Sequence, residues 1–327
     1  MNDLTRAGPA GIRIDELTGP LPPTLEAAVR SLATDAETAD GVAPLSEAAL
    51  LALGDPEARA THLLARESDG LDAETGRGLV GYAGLDRSDP ADPALHLVVA
   101  PERRRHGIGS TLLARARTLA QPSVWAHGAL PAARAFADAR ALAVVRELWV
   151  MRRELNSEPP DRPQLPVGVT IRSFVPGRDE QAWLALNARA FADHPEQGRM
   201  TLHDLLAREA EPWFDAHGLL LAERDGALLG SVWTKVHPAS GFEPELGEVY
   251  VLGVDPAAHG RGLGRLLAVL ALAKLRDRGL GLAILYTGPE NTAAVRLYRS
   301  LGFDVTGTDV QYRSGVESAP FGDTMPV

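Results

Sequence analysis

Cysteine is absent from the 327 residues, so neither a disulfide framework nor a cysteine-ligated metal site is open to this chain. Long apolar runs are missing as well. The best candidate, residues 266–275, falls short of the ~18 residues a membrane span needs and contains Lys274. The first residues, MNDLTRAGPAG, lack the apolar core of a signal peptide, so the expectation is a soluble cytoplasmic protein. A basic excess is also lacking: 33 Lys and Arg stand against 43 Asp and Glu, a net charge of -10, which argues against a general nucleic-acid binder. Lysine occurs only at Lys235 and Lys274, and arginine carries nearly all the positive charge. It gathers at Arg103-Arg104-Arg105-His106 and around Arg261 and Arg265, each time beside a glycine turn. Local positive charge on an acidic chain suits a small polyanion. His194, His203, His217 and His237 show no pairing that would suggest a metal site, and no metal is expected.

What is present centres on residues 246–272, LGEVYVLGVDPAAHGRGLGRLLAVLAL. Val249 to Val254 reads as a strand, Asp255-Pro256 stops it, a glycine-rich turn follows, and an amphipathic helix runs from Arg265. Successive backbone NH groups in such a turn, with the positive end of the helix dipole behind them, form a cradle for a phosphate or pyrophosphate. Two patterns for such loops fail on spacing. A P-loop needs Gly-Lys-Ser/Thr where this chain has Gly264-Arg265-Leu266, and a dinucleotide fingerprint from Gly262 needs a glycine where Leu267 stands.

The remaining string, His259-Gly260-Arg261-Gly262-Leu263-Gly264, resembles the Q/R-x-x-G-x-G/A motif of the GCN5-related N-acetyltransferases (GNAT), with His259 departing at the first position. Downstream, Asn291-Thr292-Ala293-Ala294-Val295-Arg296-Leu297-Tyr298 through Gly302-Phe303 matches that family's N-x-x-A-x-x-x-Y-x-x-x-G-F signature. Asn291 reads there as a helix N-cap and Gly302 as the residue after the helix. Arg104-Arg105-His106-Gly107-Ile108-Gly109 repeats the first motif 155 positions earlier, which marks an internal duplication. On that offset Pro93 stands opposite Glu248, and aligning the following helices puts Ala137 opposite Tyr298 and Leu130 opposite Asn291.

The expected organisation is a first domain over residues 1–155 without catalysis, a linker over residues 156–167 whose four prolines favour an extended connector, and a catalytic domain over residues 168–327. The fold class is α/β (α+β): two tandem GNAT-like domains, each a mixed, mostly antiparallel sheet flanked by helices. Helical segments are expected over residues 21–53, broken at Gly41 and Pro44, with further helices near residues 180–191 and 202–210. A hairpin is expected around Arg224-Asp225-Gly226.

Glu248 sits just before the apolar strand, where a carboxylate can be partly desolvated and made a better base; the plainer reading is an exposed strand-end residue. Tyr298 suits core packing with Ala294 and Leu301, or protonation of a leaving thiolate. Lys235 reads as a solvated side chain or a ligand clamp, and His259 as a loop residue whose backbone cradles phosphate. Longer strings resemble the tandem-domain acetyltransferases of mycothiol synthesis: Asp40-Gly-Val-Ala-Pro, Phe191-Ala-Asp-His-Pro-Glu-Gln, Trp233-Thr-Lys-Val-His-Pro and Leu246-Gly-Glu-Val-Tyr-Val-Leu-Gly-Val-Asp-Pro.

That resemblance implies acetyl transfer from acetyl-CoA to the cysteinyl amine of cysteinyl-glucosaminyl-inositol, with Glu248 as base and Tyr298 as acid. It implies acetyl-CoA on Leu252, Gly253 and Val254, on the loop His259 to Arg265 and on Asn291 to Arg296. A second acetyl-CoA would lie on Leu97, Val98 and Val99 with Arg104, Arg105, Gly107 and Gly109. The acceptor would be held by Glu47, Glu196, Lys235, Glu248 and Tyr286. The expected partner is that small molecule alone, with no nucleic acid or membrane, and the chain is expected to be a monomer. An acetyltransferase for another amine, such as an aminoglycoside or a protein N-terminus, and a non-catalytic acetyl-CoA sensor are the alternatives.

Overall fold

The computed structural model describes residues 11–67, 78–156, 161, 163–192, 197–239 and 244–315, and its internal contacts divide the chain into two compact units, Met1–Leu148 with Gly307–Val327, and Trp149–Thr306. In the first unit β1 (Ile12–Thr18), β2 (Ala60–Glu67), β3 (Leu79–Asp86) and β4 (Ala94–Val99) are antiparallel neighbours in that order, and β4 runs parallel to β5 (Ser123–Ala126). Two helices, α1 (Pro23–Asp40) and α2 (Glu47–Leu51), separate β1 from β2 in sequence; α3 (Ile108–Leu119) joins β4 to β5, and α4 (Pro131–Asp138) follows. α1 opens on a proline, whose missing NH costs nothing in the first turn. It ends at Gly41, whose left-handed backbone (φ 71°) lets its NH close on the Glu37 carbonyl. The expected break at Gly41 is therefore present.

β6 (Leu142–Glu154) begins in the first unit, and its residues 149–154 belong to the second. There they pair antiparallel with the strand Leu282–Thr287, which follows β7 (Thr170–Ser173), α5 (Glu180–Ala190), α6 (Leu202–Glu209), β8 (Leu219–Arg224), β9 (Ala227–His237), β10 (Leu246–Val254) and α7 (Leu263–Asp277) and is numbered β11. The sheet order in this unit is β6-β11-β10-β9-β8-β7, with β10 and β11 parallel and the other pairs antiparallel. α8 (Thr292–Ser300) and β12 (Asp304–Ser314) complete the chain, and from Gly307 onward β12 belongs to the first unit, where Val310 to Tyr312 pair antiparallel with β5. The strand beside β5 thus comes from the end of the chain, and the strand beside β11 from its middle. Each unit has the mixed, mostly antiparallel sheet with flanking helices that the sequence led us to expect. Of the proline-rich stretch, residues 157–160 and 162 lie outside the described residues.

Local sequence explains the second unit's frame. Asp225 (φ 52°) and Gly226 (φ 77°) take the two left-handed positions of a type I′ turn, which joins β8 to β9 in register with their twist. Thr201 and Asp204 form a reciprocal capping box at the start of α6. Against one face of the sheet α7 buries Leu263, Leu266, Leu267, Leu272 and Leu275, and Gly247 makes the approach possible: a Cβ there would lie 2.6 Å from Leu275. On the other face Trp183 and Trp233 pack edge to face at 5.6 Å, and Trp183 donates its indole NH to Ser231 Oγ at 3.1 Å. Among the described residues, no helix is long and apolar enough to cross a membrane.

The first unit buries a polar chain instead. Asp309 of β12 accepts from Gly128 N and lies 2.8 Å from His127 Nδ1; His127 Nε2 lies 3.3 Å from His96 Nδ1, and His96 Nε2 lies 3.3 Å from Ser46 Oγ. A carboxylate only accepts, so His127 carries a proton on Nδ1, and in that neutral tautomer the chain runs one way: Ser46 to His96 to His127 to Asp309. Ser46 is also the N-cap of α2, accepting from Ala49 N, so the chain anchors the helix that starts at Glu47. Burial, helped by the neighbouring His127, pushes the His96 imidazole down to about 3. An unfolded histidine takes a proton near 6.5, so between about pH 6.5 and 3 the unfolded chain binds a proton that folded His96 refuses, and acid costs up to about 1.4 kcal/mol per pH unit. His96→Gln, which does not titrate, should therefore show a shallower loss of urea midpoint between pH 6.5 and 5 than the parent. Parallel losses in the two proteins would remove His96 as the source.

Candidate acyl-transfer site

The site begins where a ladder stops. β10 and β11 pair at Gly247–Ala283 and Glu248–Ile284 and carry no further rung, although β10 runs on to Val254 and β11 to Thr287. Past Glu248 the two parallel strands part, and a wedge opens. Along its other edge β10 stays paired with β9 as far as Val254–Gly230, but the register slips between Val249 and Val251, leaving Tyr250 as the extra residue of a bulge. The bulge reverses the alternation of side chains. Val249, Leu252 and Val254 pack with the α7 cluster, whereas Tyr250 and Val251 join the aromatic cluster on the opposite face, and a Cβ on Gly253 would lie 3.0 Å from Ala190, the last residue of α5, and from Phe191 after it. The backbone of Leu252, Gly253 and Val254 therefore lines the wedge with no strand rung on that side.

At the end of β10 the glycine loop leads into α7. Gly260 (φ 73°) and Gly262 (φ 75°) are both left-handed, and Gly262 is the N-cap. A Cβ on Gly264 would meet Val254 at 3.7 Å and Leu297 at 3.9 Å, ordinary contacts, so the fold does not require glycine there. No acidic residue occupies the first turn of α7, while Arg265 does and reaches Ser300 Oγ at 2.9 Å. A helix dipole favours the reverse sign at this end, so the local charge suits an external anion. His259 does not face that anion: its Nε2 lies 3.0 Å from the Val254 carbonyl. The imidazole ties the loop back onto the strand.

The first unit repeats this backbone. Arg105 (φ 66°) and Gly107 (φ 83°) take the same left-handed conformations, and Arg104 Nε donates to the Val99 carbonyl at 3.2 Å, as His259 does to Val254. The Arg104 guanidinium is further held by both oxygens of Asp40 at 2.7 Å. Gly109 opens toward Leu97 and Val99, which a Cβ would meet at 3.5 and 3.6 Å. Here too the parallel pair stops early, at Ala94–Ser123 and Leu95–Val124. β4 pairs with β3 without a bulge, so the constant offset does not carry through the strand. Counted by rungs, Leu95 and not Pro93 stands where Glu248 stands; neither offers a carboxylate.

Chemistry collects at the last rung of the second unit. The Glu248 side chain is 7% exposed and its Oε2 lies 2.6 Å from His237 Nε2. Lys235 is directly opposite Glu248 on β9. It is half-buried, its ammonium 4.5 Å from the Trp213 ring centre and 5.3 Å from that of Tyr250, so the solvated reading does not hold. Tyr250 accepts from Arg208 Nε at 2.8 Å. On β11, Tyr286 is 43% exposed, two residues past the last rung. Tyr298 of α8 lies buried in the α7 cluster with Leu301, its ring 5.9 Å from that of Phe303, and burial pushes its phenol up to about 12. Asn291 is the N-cap of α8, accepting from Ala294 N at 3.1 Å; Thr292, Ala293, Ala294, Val295 and Arg296 form the first turns behind it. Glu47 starts α2 of the first unit, and Glu196 lies outside the described residues.

Sequence reasoning missed His237, the bulge at Tyr250 and the aromatic support of Lys235. One signal was there: in Trp233-Thr-Lys-Val-His the lysine and histidine are two apart, hence on one face of a strand. Among the described residues, no group of three His, Cys, Asp or Glu is placed to hold a metal ion.

Comparison with known proteins identifies the family. A model of the acetyltransferase (GNAT) family matches residues 183–303, and a model of a GNAT acetyltransferase domain matches residues 62–142. The mycothiol acetyltransferase of Cellulomonas flavigena is 54% identical over 312 residues, 91% of this chain and 88% of that protein. The mycothiol acetyltransferase of Thermomonospora curvata is 53% identical over 289 residues, 88% of this chain and 92% of that protein. A solved tandem GNAT protein from the clavulanic acid biosynthesis pathway is similar in fold at a TM-score of 0.67 and 18% identity, over 93% of this chain and 100% of that one. With two GNAT domains and about half its residues shared with such relatives over nine-tenths of its length, the chain belongs to the mycothiol acetyltransferase family.

Proposed function

We propose that the chain transfers the acetyl group of acetyl-CoA to the cysteinyl amine of cysteinyl-glucosaminyl-inositol, the last step of mycothiol synthesis. The observation that carries this reading is the buried carboxylate of Glu248 at the final rung before the wedge opens. An ammonium has no lone pair with which to attack a thioester, so a base must take its proton, and Glu248 is the carboxylate at the inner end of the wedge. The amine nitrogen then forms the new bond to the acetyl carbon as the carbon–sulfur bond breaks. Backbone NH groups of Leu252 to Val254 on the wedge side are donors for the charge that grows on the carbonyl oxygen. Tyr298, with its phenol pushed up to about 12, stays protonated at any physiological pH and can deliver its proton to the departing thiolate.

The same reading gives the remaining residues their work. The NH groups from Gly260 to Arg265 would hold the pyrophosphate of the acyl donor at the positive end of α7, and the N-terminal turn of α8 from Asn291 to Arg296 would flank it. Lys235 and Tyr286 would contact the acceptor, whose hydroxyls call for a few fixed donors and acceptors. His259 acts through the loop, as its bond to the Val254 carbonyl indicates. The first unit, with its anion loop but no carboxylate at the last rung, would bind a second acetyl-CoA without transferring from it.

Two expectations follow. Glu248→Gln keeps the shape of the side chain and removes its basicity, so turnover at neutral pH should fall by about 10²- to 10⁴-fold with acetyl-CoA binding kept; Tyr298→Phe should lower turnover while its melting temperature stays near the parent's, since the ring is retained in the core. Coenzyme A release, measured with cysteinyl-glucosaminyl-inositol beside aminoglycosides and peptide N-termini, tests both variants and the acceptor together. Parental rates in Glu248→Gln would remove it as the base, and preference for another amine would remove the acceptor.

His259 gives a further expectation. His259→Gln can still donate to the Val254 carbonyl and should leave the Michaelis constant for acetyl-CoA within a few-fold of the parent's, whereas His259→Leu loses the tie and should raise it by about tenfold, the cost of one hydrogen bond near 1.4 kcal/mol. Equal behaviour of the two variants would show that the tie does not shape the loop.

A further inference from the structure

The geometry points to His237 as a positioning residue for acyl transfer, one that acts through Glu248 and touches neither the acyl donor nor the acceptor. This rests on the reading of Glu248 as the base. His237 pairs with Leu246 and Lys235 pairs with Glu248 across β9 and β10, so His237 and Lys235, two residues apart, share the face onto which Glu248 projects. Glu248 therefore has the ammonium-bearing chain directly opposite and the imidazole on the diagonal. The imidazole is bonded to it, Nε2 to Oε2 at 2.6 Å. The carboxylate is 7% exposed and the imidazole 32%, so His237 closes the outer side of a buried group.

A carboxylate on a short strand segment has two oxygens and a χ3 torsion that is soft by nature. A donor fixed on one oxygen sets the plane of the group and assigns the roles: Oε2 is spent on His237, and Oε1 is the oxygen that takes the proton from the amine. Without the donor, the carboxylate is free to turn toward Lys235, whose ammonium is held nearby on the rings of Trp213 and Tyr250. An oxygen drawn to that cation is a poorer base and is misplaced for the acceptor. Misplacement on the scale of 1 Å costs about a hundredfold in rate, which sets the size of the effect to look for.

The test is a set of His237 variants in the full chain, assayed for coenzyme A release with acetyl-CoA and cysteinyl-glucosaminyl-inositol. His237→Gln places an amide NH2 close to where Nε2 stands and should keep kcat within about threefold of the parent, while His237→Phe, which has no donor, should lower kcat by about 10- to 100-fold with the Michaelis constant for acetyl-CoA unchanged. Should His237→Phe not fold, His237→Asn, whose amide falls short of Oε2, takes its place. The deciding arm repeats the donor-less variant in a Glu248→Gln background, where a residue that works through the carboxylate has nothing left to position and the further loss should vanish. An equal loss in both backgrounds, or Gln behaving as Phe does, overturns the assignment. Full activity of the donor-less variant with Glu248→Gln inactive overturns it while leaving Glu248 as the base, whereas full activity of Glu248→Gln removes the base reading itself.

Discussion

The separation of β10 from β11 after a single pair of rungs governs the rest of the second unit. Two parallel strands that stay paired bond to each other through their backbone groups; two that part after Glu248 and Ile284 present a run of NH and carbonyl groups to whatever enters the wedge. Three other features depend on that opening. The bulge at Tyr250 turns the outer part of β10 so that its apolar side chains still pack on α7 while its wedge-side edge stays bare. Gly247 lets α7 lie close against the strand and so brings the helix N-terminus to the wedge's outer end. The buried carboxylate sits at the inner end, where the last rung holds its backbone rigid.

Much of this was legible in the residues because it depends on local chemistry. The glycine loop, the helix behind it, the Asn291 cap, the Asp225-Gly226 turn and the break at Gly41 each follow from a backbone conformation or an orphaned NH that few residue types satisfy. Burial of Tyr298 was legible from its helical spacing to Ala294 and Leu301, whereas Glu248 read as standing just before the apolar strand, with an exposed strand end as the plainer reading, and the structure buries it inside β10. The family resemblance then joined these pieces into one site.

What was not legible depends on register. No local signal distinguishes a bulged strand from a regular one in Leu246 to Val254, so the side of the sheet on which Tyr250 falls, and with it the support of Lys235, appears only in the pairing with β9. His237 entered the sequence reading only as a histidine without a metal-site partner, because its neighbour Glu248 is diagonal across a pair of strands, a relation that the register of β9 against β10 fixes. The use of residues 149–154 beside β11 and of residues 310–312 beside β5 is further still from local signal. A segment's own pattern says that it is a strand and does not say which neighbour it will take. Asp309 illustrates the cost: read alone it is an acidic residue near the end of the chain, and in the fold it completes a buried line to His127, His96 and Ser46.

The two units share the device that needs backbone and differ in the device that needs side chains. Arg105 and Gly107 repeat the left-handed pair Gly260 and Gly262, and Arg104 repeats the tie that His259 makes to the strand end, although no side chain in those pairs is the same apart from one glycine. A loop conformation can be reached by several residue types, because the bonds it offers an anion come from main-chain NH groups. A base cannot be replaced in that way. Where the second unit has Glu248 at its last parallel rung, the first has Leu95, and its β4 pairs with β3 without the bulge that reorients the outer strand. The first unit's polar groups are instead drawn into the chain from Ser46 to Asp309, where each donor is already matched to an acceptor and His96 is held neutral by its burial. A matched network of this kind holds the start of α2 in place, and although the two units repeat the same loop conformation, only the second has a buried carboxylate at its last parallel rung.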